Sequence, residues 1–172
     1  MSEPAWESIW QEHASAFDRV RAVVMAAAEP QPVGWIADHA RVAESTARSH
    51  LDRLVEMGVV TVADSTEGRQ YGPDPGYVRF REIRDLTSEY DRADLGEFVV
   101  EIKESIADLR EEYDAARPDE LRAAAAESGI SAADARAMQR AAADWDHYTY
   151  RLSLLEDAIS RYNEYTESPT PA

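Results

Sequence analysis

The sequence predicts a mainly α-helical protein with one small β-hairpin, built as a compact N-terminal module followed by long helices. Three observations carry that expectation. Apolar residues recur at helical intervals over most of the 172 residues. One β-forming stretch, Val59-Val60-Thr61-Val62, leads through the polar tip Ser65-Thr66-Glu67-Gly68 to Arg69-Gln70-Tyr71, the pattern of a hairpin. Gly72-Pro73-Asp74-Pro75-Gly76, the strongest cluster of breakers, then separates that hairpin from a second half that is helical nearly to its end.

In order, the first helix is expected over 6–28, where Trp6, Ile9, Trp10, Phe17, Val20, Val24 and Ala28 recur at helical spacing. Glu29-Pro30-Gln31-Pro32 ends it. A short helix follows over 33–40, then a turn at Arg41-Val42, then a longer helix over 43–57 stopped by Gly58. Beyond the breaker cluster a helix is expected over 77–90. Asp94 with Glu97 reads as a capping box opening the next, to about 115. Pro118 suits the first turn of a short alanine-rich helix to about 127, and Ser131 with Asp134 starts a last helix reaching about 165. This divides the chain into a module at 1–75, a helical domain at 76–166 and a tail at 167–172, expected to be disordered.

Helix, turn, helix and hairpin in that order are what a winged helix-turn-helix needs to lay one helix in the DNA major groove with a hairpin beside it. Wound at 100° per residue, the helix over 43–57 turns Ala47, Leu51, Leu54 and Val55 toward Trp35, Ile36, Ala40 and Val42. Its opposite face carries Ser45, Ser49, Asp52, Arg53 and Glu56, flanked by Thr46 and Arg48. Arginine pairs bidentately with guanine, and Ser or Thr bonds to several base edges. Arg41 in the turn and Arg69 beside the hairpin tip suit phosphates. The expected DNA-binding residues are therefore Arg41, Ser45, Thr46, Arg48, Ser49, Arg53 and Arg69. The alternative is that Arg48 and Arg53 pair with Glu44, Asp52 or Glu56 at helical spacing, in a module that binds protein instead of DNA. Four arginines against seven acids over 33–75 give the module a net charge of −3, so a strongly basic footprint is missing.

Those residues resemble the helix-turn-helix of ArsR-type and related archaeal winged-helix regulators. In these the pattern V-[SA]-x-[SN]-T-[AV]-R-x-H-L-x-x-L-x-x-x-G recurs, and here Val42, Ala43, Ser45, Thr46, Ala47, Arg48, His50, Leu51, Leu54 and Gly58 occupy it. The W-x-x-x-W near the start and L-S-L-L-E-D-A-I near the end are similar to haloarchaeal winged-helix proteins with a helical C-terminal half. The resemblance implies a transcription regulator. It departs from the family at Ala43, where serine often caps the helix, so capping is expected to shift to Ser45 or the first turn to be looser. The cysteines with which some ArsR-type proteins sense metal are absent, since the chain has none.

Composition sets further bounds. Its 34 acidic and 18 basic residues give a net charge of −16, and only Lys103 among the basic residues is lysine. That balance fits a protein from a salt-accumulating halophile. Acidity opposes binding to nucleic acid, but at 1 M salt the Debye length is only about 3 Å, so net charge does not exclude DNA. The four histidines are scattered without metal-ligand spacing, and no cofactor is expected. No apolar run approaches a membrane span and the N-terminus lacks a signal region, so a cytoplasmic location is expected. An enzyme is not expected: there is no cysteine nucleophile, no G-x-S-x-G and no phosphate-cradling glycine loop.

In the last helix Met138, Ala141, Trp145, Tyr148, Leu152, Leu155, Ile159 and Tyr162 are spaced alternately three and four apart, an unbroken heptad seam. The preceding helix offers Leu95, Phe98, Ile102, Ile106, Leu109 and Tyr113. A reader of two-fold DNA sites works as a symmetric dimer. The seam is accordingly expected to form a coiled-coil-like dimerisation arm, with Trp145, Tyr148, Leu152, Leu155, Ile159 and Tyr162 at a homodimer interface. The alternative is a helical hairpin folded within one chain. The many aromatic residues of this half also leave open a small-molecule effector site.

Overall fold

The structure, a computed structural model, describes residues 14–66 and 68–166, of which Tyr165 and Thr166 by their backbone alone. It is mainly helical. In chain order the elements are α1 (Ala16–Ala26), β1 (Gln31–Pro32), α2 (Val33–Ala40), α3 (Glu44–Glu56), β2 (Val60–Ser65), β3 (Gly68–Pro73), α4 (Pro75–Glu89), α5 (Arg92–Tyr113), α6 (Pro118–Ala125), α7 (Ala132–Ser160) and α8 (Tyr162–Thr166). They form two compact units, Met1–Arg79 and Phe80–Ala172. The division falls inside α4, a few residues later than the breaker cluster suggested. Pro75 fits the first turn of a helix, where no N–H is needed, and Tyr77 packs on the core of the first unit.

In the first unit the apolar faces of α1, α2 and α3 close on one core. Val20, Val24, Ile36, Ala47, Leu51 and Leu54 are fully buried there, with Val59, Val60 and Tyr71 from the strands. Full burial of each large aliphatic side chain contributes about 1.5–3 kcal/mol. The expected helix over 6–28 is shorter than its periodicity suggested. Ser15 is extended and its Oγ accepts from the Asp18 N–H at 3.1 Å, so α1 begins at Ala16. Trp6, Ile9 and Trp10 lie outside the described residues.

The three strands are antiparallel in the order β1-β3-β2. β2 and β3 pair from Val60 opposite Pro73 to Ser65 opposite Gly68, the hairpin the sequence implied. β1 is a correction. Residues 29–32 read as a break, yet Gln31 pairs with Tyr71 and Pro32 with Gln70. An edge strand needs hydrogen bonds on one side only, so proline is tolerated there. Gly72 permits the approach: a Cβ on it would lie 3.3 Å from Pro30 Cγ.

In the second unit the core joins Ile83, Leu95, Ile102, Ile106, Leu121, Ala141, Ala142, Trp145, Leu154, Leu155 and Ala158. The capping box opening α5 lies one turn earlier than expected. Asp91 accepts from the N–H groups of Ala93 at 2.7 Å and Asp94 at 2.9 Å, and Asp94 accepts in return from the Asp91 N–H at 3.2 Å. Asp94 is thus the third helical residue, not the cap. α7 starts where Ser131 predicted, its Oγ accepting from the Asp134 N–H at 3.1 Å. It ends at Ser160, and Arg161 separates it from α8, so the single helix expected to 165 is two. Arg122 on α6 is held by Asp119 and Asp146, with its pKa raised mainly by the bond to Asp146, which ties α6 to α7.

The heptad seam is occupied within the protomer. Trp145 and Leu155 are 2% and 0% exposed against the chain's own α5 and α6, and Arg110 lies over the Trp145 ring at 5.7 Å. Tyr148, Leu152, Ile159 and Tyr162 are partly buried against the same core. Trp145 and Leu155 are thus buried within one chain, as the helical-hairpin alternative expects. The tail at 167–172 lies outside the described residues.

Candidate nucleic-acid interface

Two turns of the first unit share one geometry and differ in the residue that makes it. At the end of α3, Gly58 has φ 68°; its N–H reaches Val55 O at 2.9 Å and the Val59 N–H reaches Leu54 O at 3.0 Å. At the end of α2, Arg41 takes the same left-handed position with φ 52° and ψ 52°. Its N–H reaches Asp38 O at 3.2 Å and the Val42 N–H reaches Ala37 O at 3.0 Å. Both are the paired-bond closure of a helix that glycine ordinarily makes. At Arg41 a residue bearing a Cβ sits there, at a cost of roughly 1–2 kcal/mol. The turn places an exposed arginine at the corner between α2 and α3.

α3 begins at Glu44 without a side-chain cap: Ala43 is extended and only its carbonyl is used, accepting from the Ala47 N–H at 2.9 Å. The cap does not shift to Ser45, and the first turn closes at an ordinary hydrogen-bond length without any side-chain cap. With Ala47, Leu51 and Leu54 buried, the outward face is fixed. Ser45, Arg48, Ser49, Asp52, Arg53 and Glu56 line one shallow, open depression on it. At 100° per residue Ser45, Ser49, Asp52 and Glu56 fall within about 60° of one another, with Arg48 and Arg53 on opposite flanks. Thr46 is half-buried and turned about 100° from Ser45, so the structure does not bring it to that face.

The arginines are held differently. Arg48 pairs with Glu44 at 2.8 Å, both side chains about half exposed. Such a surface pair is worth about 0.3–0.5 kcal/mol and yields readily to a phosphate or a guanine. Arg53 lies over the Phe17 ring of α1 at 5.4 Å, and Phe17 meets His50 edge-on at 5.6 Å. That contact fixes Arg53 to the side of the face. Arg69 on β3 stands 4.0 Å from Asp64 with its side chain 61% exposed, a loose pair beside the hairpin tip.

Two residues of this face were not among the expected site. Asp52 and Glu56 read as pairing partners for Arg48 and Arg53, yet among the described residues neither carboxylate has a hydrogen-bond or ion-pair partner. The signal was available: they stand seven and eleven residues beyond Ser45, on its stripe. The second unit holds a separate open cleft lined by Glu82, Asp85, Leu86, Glu89, Arg151 and Leu154. Charged groups make up most of its wall, unlike the apolar lining of most small-molecule sites. Among the described residues no group of three or more His, Asp or Glu is arranged to hold a metal, and no helix is long and apolar enough to cross a membrane.

Residues 14–164 match the model of a family of unknown function, DUF7342, and the chain belongs to that family. No curated protein and no solved structure matches it.

Proposed function

We propose that this DUF7342 member is a winged helix-turn-helix transcription regulator of the ArsR-like type that binds duplex DNA as a homodimer. The observation that carries the proposal is the outward face of α3, where Ser45, Arg48 and Ser49 stand together on the second of two helices joined by a tight turn. In this reading α3 enters the major groove, Arg41 and Arg69 hold phosphates on either side of it, and the β2–β3 hairpin lies along the backbone as the wing. Binding would occupy a promoter and so change access to it. The homodimer is retained, on a surface other than Trp145 and Leu155. Among the described residues of the second unit, Phe80, Val100, Ile130 and Tyr150 are large apolar side chains that stay exposed.

A protein-interaction module is the second reading, favoured by Asp52 and Glu56 of α3, which have no partner among the described residues and oppose phosphates. The deciding experiment is selection of sites from a random duplex library by purified protein in multimolar KCl, with the Arg48→Ala/Arg53→Ala variant as control. Enrichment of an inverted repeat by the wild type alone supports a dimeric reader of sequence. No enrichment by folded protein overturns it in favour of the interaction module.

A further inference from the structure

The carboxylates on the outward face of α3 need an explanation if that face meets DNA. A carboxylate near a duplex is repelled by every phosphate, so it weakens binding to all sequences alike. It gains something only where it accepts a hydrogen bond. In the major groove the donors are the amino groups of cytosine and adenine. Adenine sets its N7 acceptor beside that amine, which repels a second carboxylate oxygen. Cytosine has no such acceptor in the groove. A carboxylate on a reading helix is therefore satisfied by cytosine and penalised by guanine and thymine, whose groove edges present acceptors.

Asp52 has the position for this. It lies on the stripe of Ser45 and Ser49, lines the same depression, is exposed, and has no partner among the described residues. Seven residues separate it from Ser45, roughly 10 Å along the helix, or about three base-pair steps of 3.4 Å. Arg48 lines that depression one turn before it and is held only by the exposed Glu44. A face that sets an arginine beside an unpaired carboxylate is suited to guanine and cytosine.

We infer that Asp52 is a specificity-determining residue that accepts from the N4 amino group of a cytosine, which makes G·C-containing duplex sites the substrate class of this face. The inference rests on the DNA-binding role proposed above.

Asp52→Asn distinguishes the two. Asparagine keeps the shape, loses the charge and pairs bidentately with adenine. The wild type and the variant are each put through selection on the random duplex library. Binding to duplexes differing only at the assigned base pair is then measured, and circular dichroism checks that both proteins are folded. The expected result is one position at which the wild type prefers cytosine over adenine by about tenfold or more and the variant reverses that order, with the rest of the site unchanged. If both proteins select the same bases and the variant only binds everything more tightly, Asp52 faces phosphates and the inference is overturned. If the folded wild type selects no site, DNA reading itself fails and the inference falls with it.

Discussion

Arg41 turns the chain from α2 into α3 with φ 52° and ψ 52°, in a position that Gly58 fills at the end of α3. Comparing Arg41→Ala with Arg41→Gly isolates the backbone, because both remove the side chain and every interaction it makes. Alanine in the left-handed region pays roughly 1–2 kcal/mol from its Cβ. Glycine has no such strain there but loses about 0.5–1 kcal/mol more chain entropy on folding. The glycine variant should therefore be the more stable by about 0.5–1 kcal/mol. At Arg48, inside α3, the same pair should invert, with alanine ahead by about 0.8–1 kcal/mol. Urea unfolding followed by circular dichroism at fixed KCl measures both pairs. An alanine variant at 41 as stable as the glycine variant would show that this turn is not left-handed. Under the proposed DNA-binding role, affinity should behave differently from stability. Both variants remove the same cation from the corner, so affinity should fall equally in each. The salt slope of binding should shrink by about 0.9 for each phosphate that is no longer neutralised.

Tyr71→Phe should leave stability unchanged or raise it by up to about 1–3 kcal/mol in thermal melts, because the hydroxyl is buried with no partner among the described residues; a clear loss would mean that the hydroxyl is bonded. Leu155→Glu should unfold the second unit instead of yielding folded monomers, since the side chain is fully buried in its own protomer. Folded monomers in sedimentation would restore Leu155 as an interface residue. Dilution from multimolar to low salt should loosen the fold, as a net charge of −16 repels itself without screening. Full retention of the circular dichroism signal would remove the halophile expectation.

The legible parts of the sequence were those where a short local pattern settles the outcome. Gly58 ended a helix, Ser131 began one, and the β-formers around Val60 made a hairpin, because each depends on residues a turn or a strand away. What was hidden depended on distant partners. β1 exists because Gln31 meets Tyr71 forty residues on, across an approach that Gly72 keeps open. The capping box at Asp91 competed with an equally plausible one a turn later, and Asp94 serves as acceptor in the real one. The heptad seam was visible, but its spacing is the same whether the partner helix belongs to the same chain or to another. At the site, helical winding put Ser45, Ser49, Asp52, Arg53 and Glu56 on one face with Thr46 and Arg48 as its flanks; Arg48 lines the depression on that face and Thr46 is turned off it. Asp52 and Glu56 share that face but read as pairing partners, because sequence spacing shows which pairs are able to form and not which do.

For a chain of net charge −16, the salt dependence of DNA binding separates the whole-molecule field from the contact face. At tens of millimolar salt the Debye length is tens of ångströms or a little less, so the full negative charge of the protein opposes the approach of DNA. At molar salt it is about 3 Å, and only groups nearly in contact with the duplex still count. Under those conditions the contest in the proposed complex would be local: Arg41, Arg48, Arg53 and Arg69 would favour the phosphates, and Asp52 and Glu56 would oppose them wherever they are not bonded to a base. Four arginines against two carboxylates would leave such a face only a modest affinity for duplex in general, because the counterion release that drives non-specific binding scales with the phosphates neutralised. In the proposed reading such a face would gain discrimination, since a carboxylate with no partner among the described residues would turn a mismatched base into a repulsive contact. On the proposed reading, the acidic residues that argue against DNA when counted by net charge would, when placed on α3, be the groups that make binding depend on sequence.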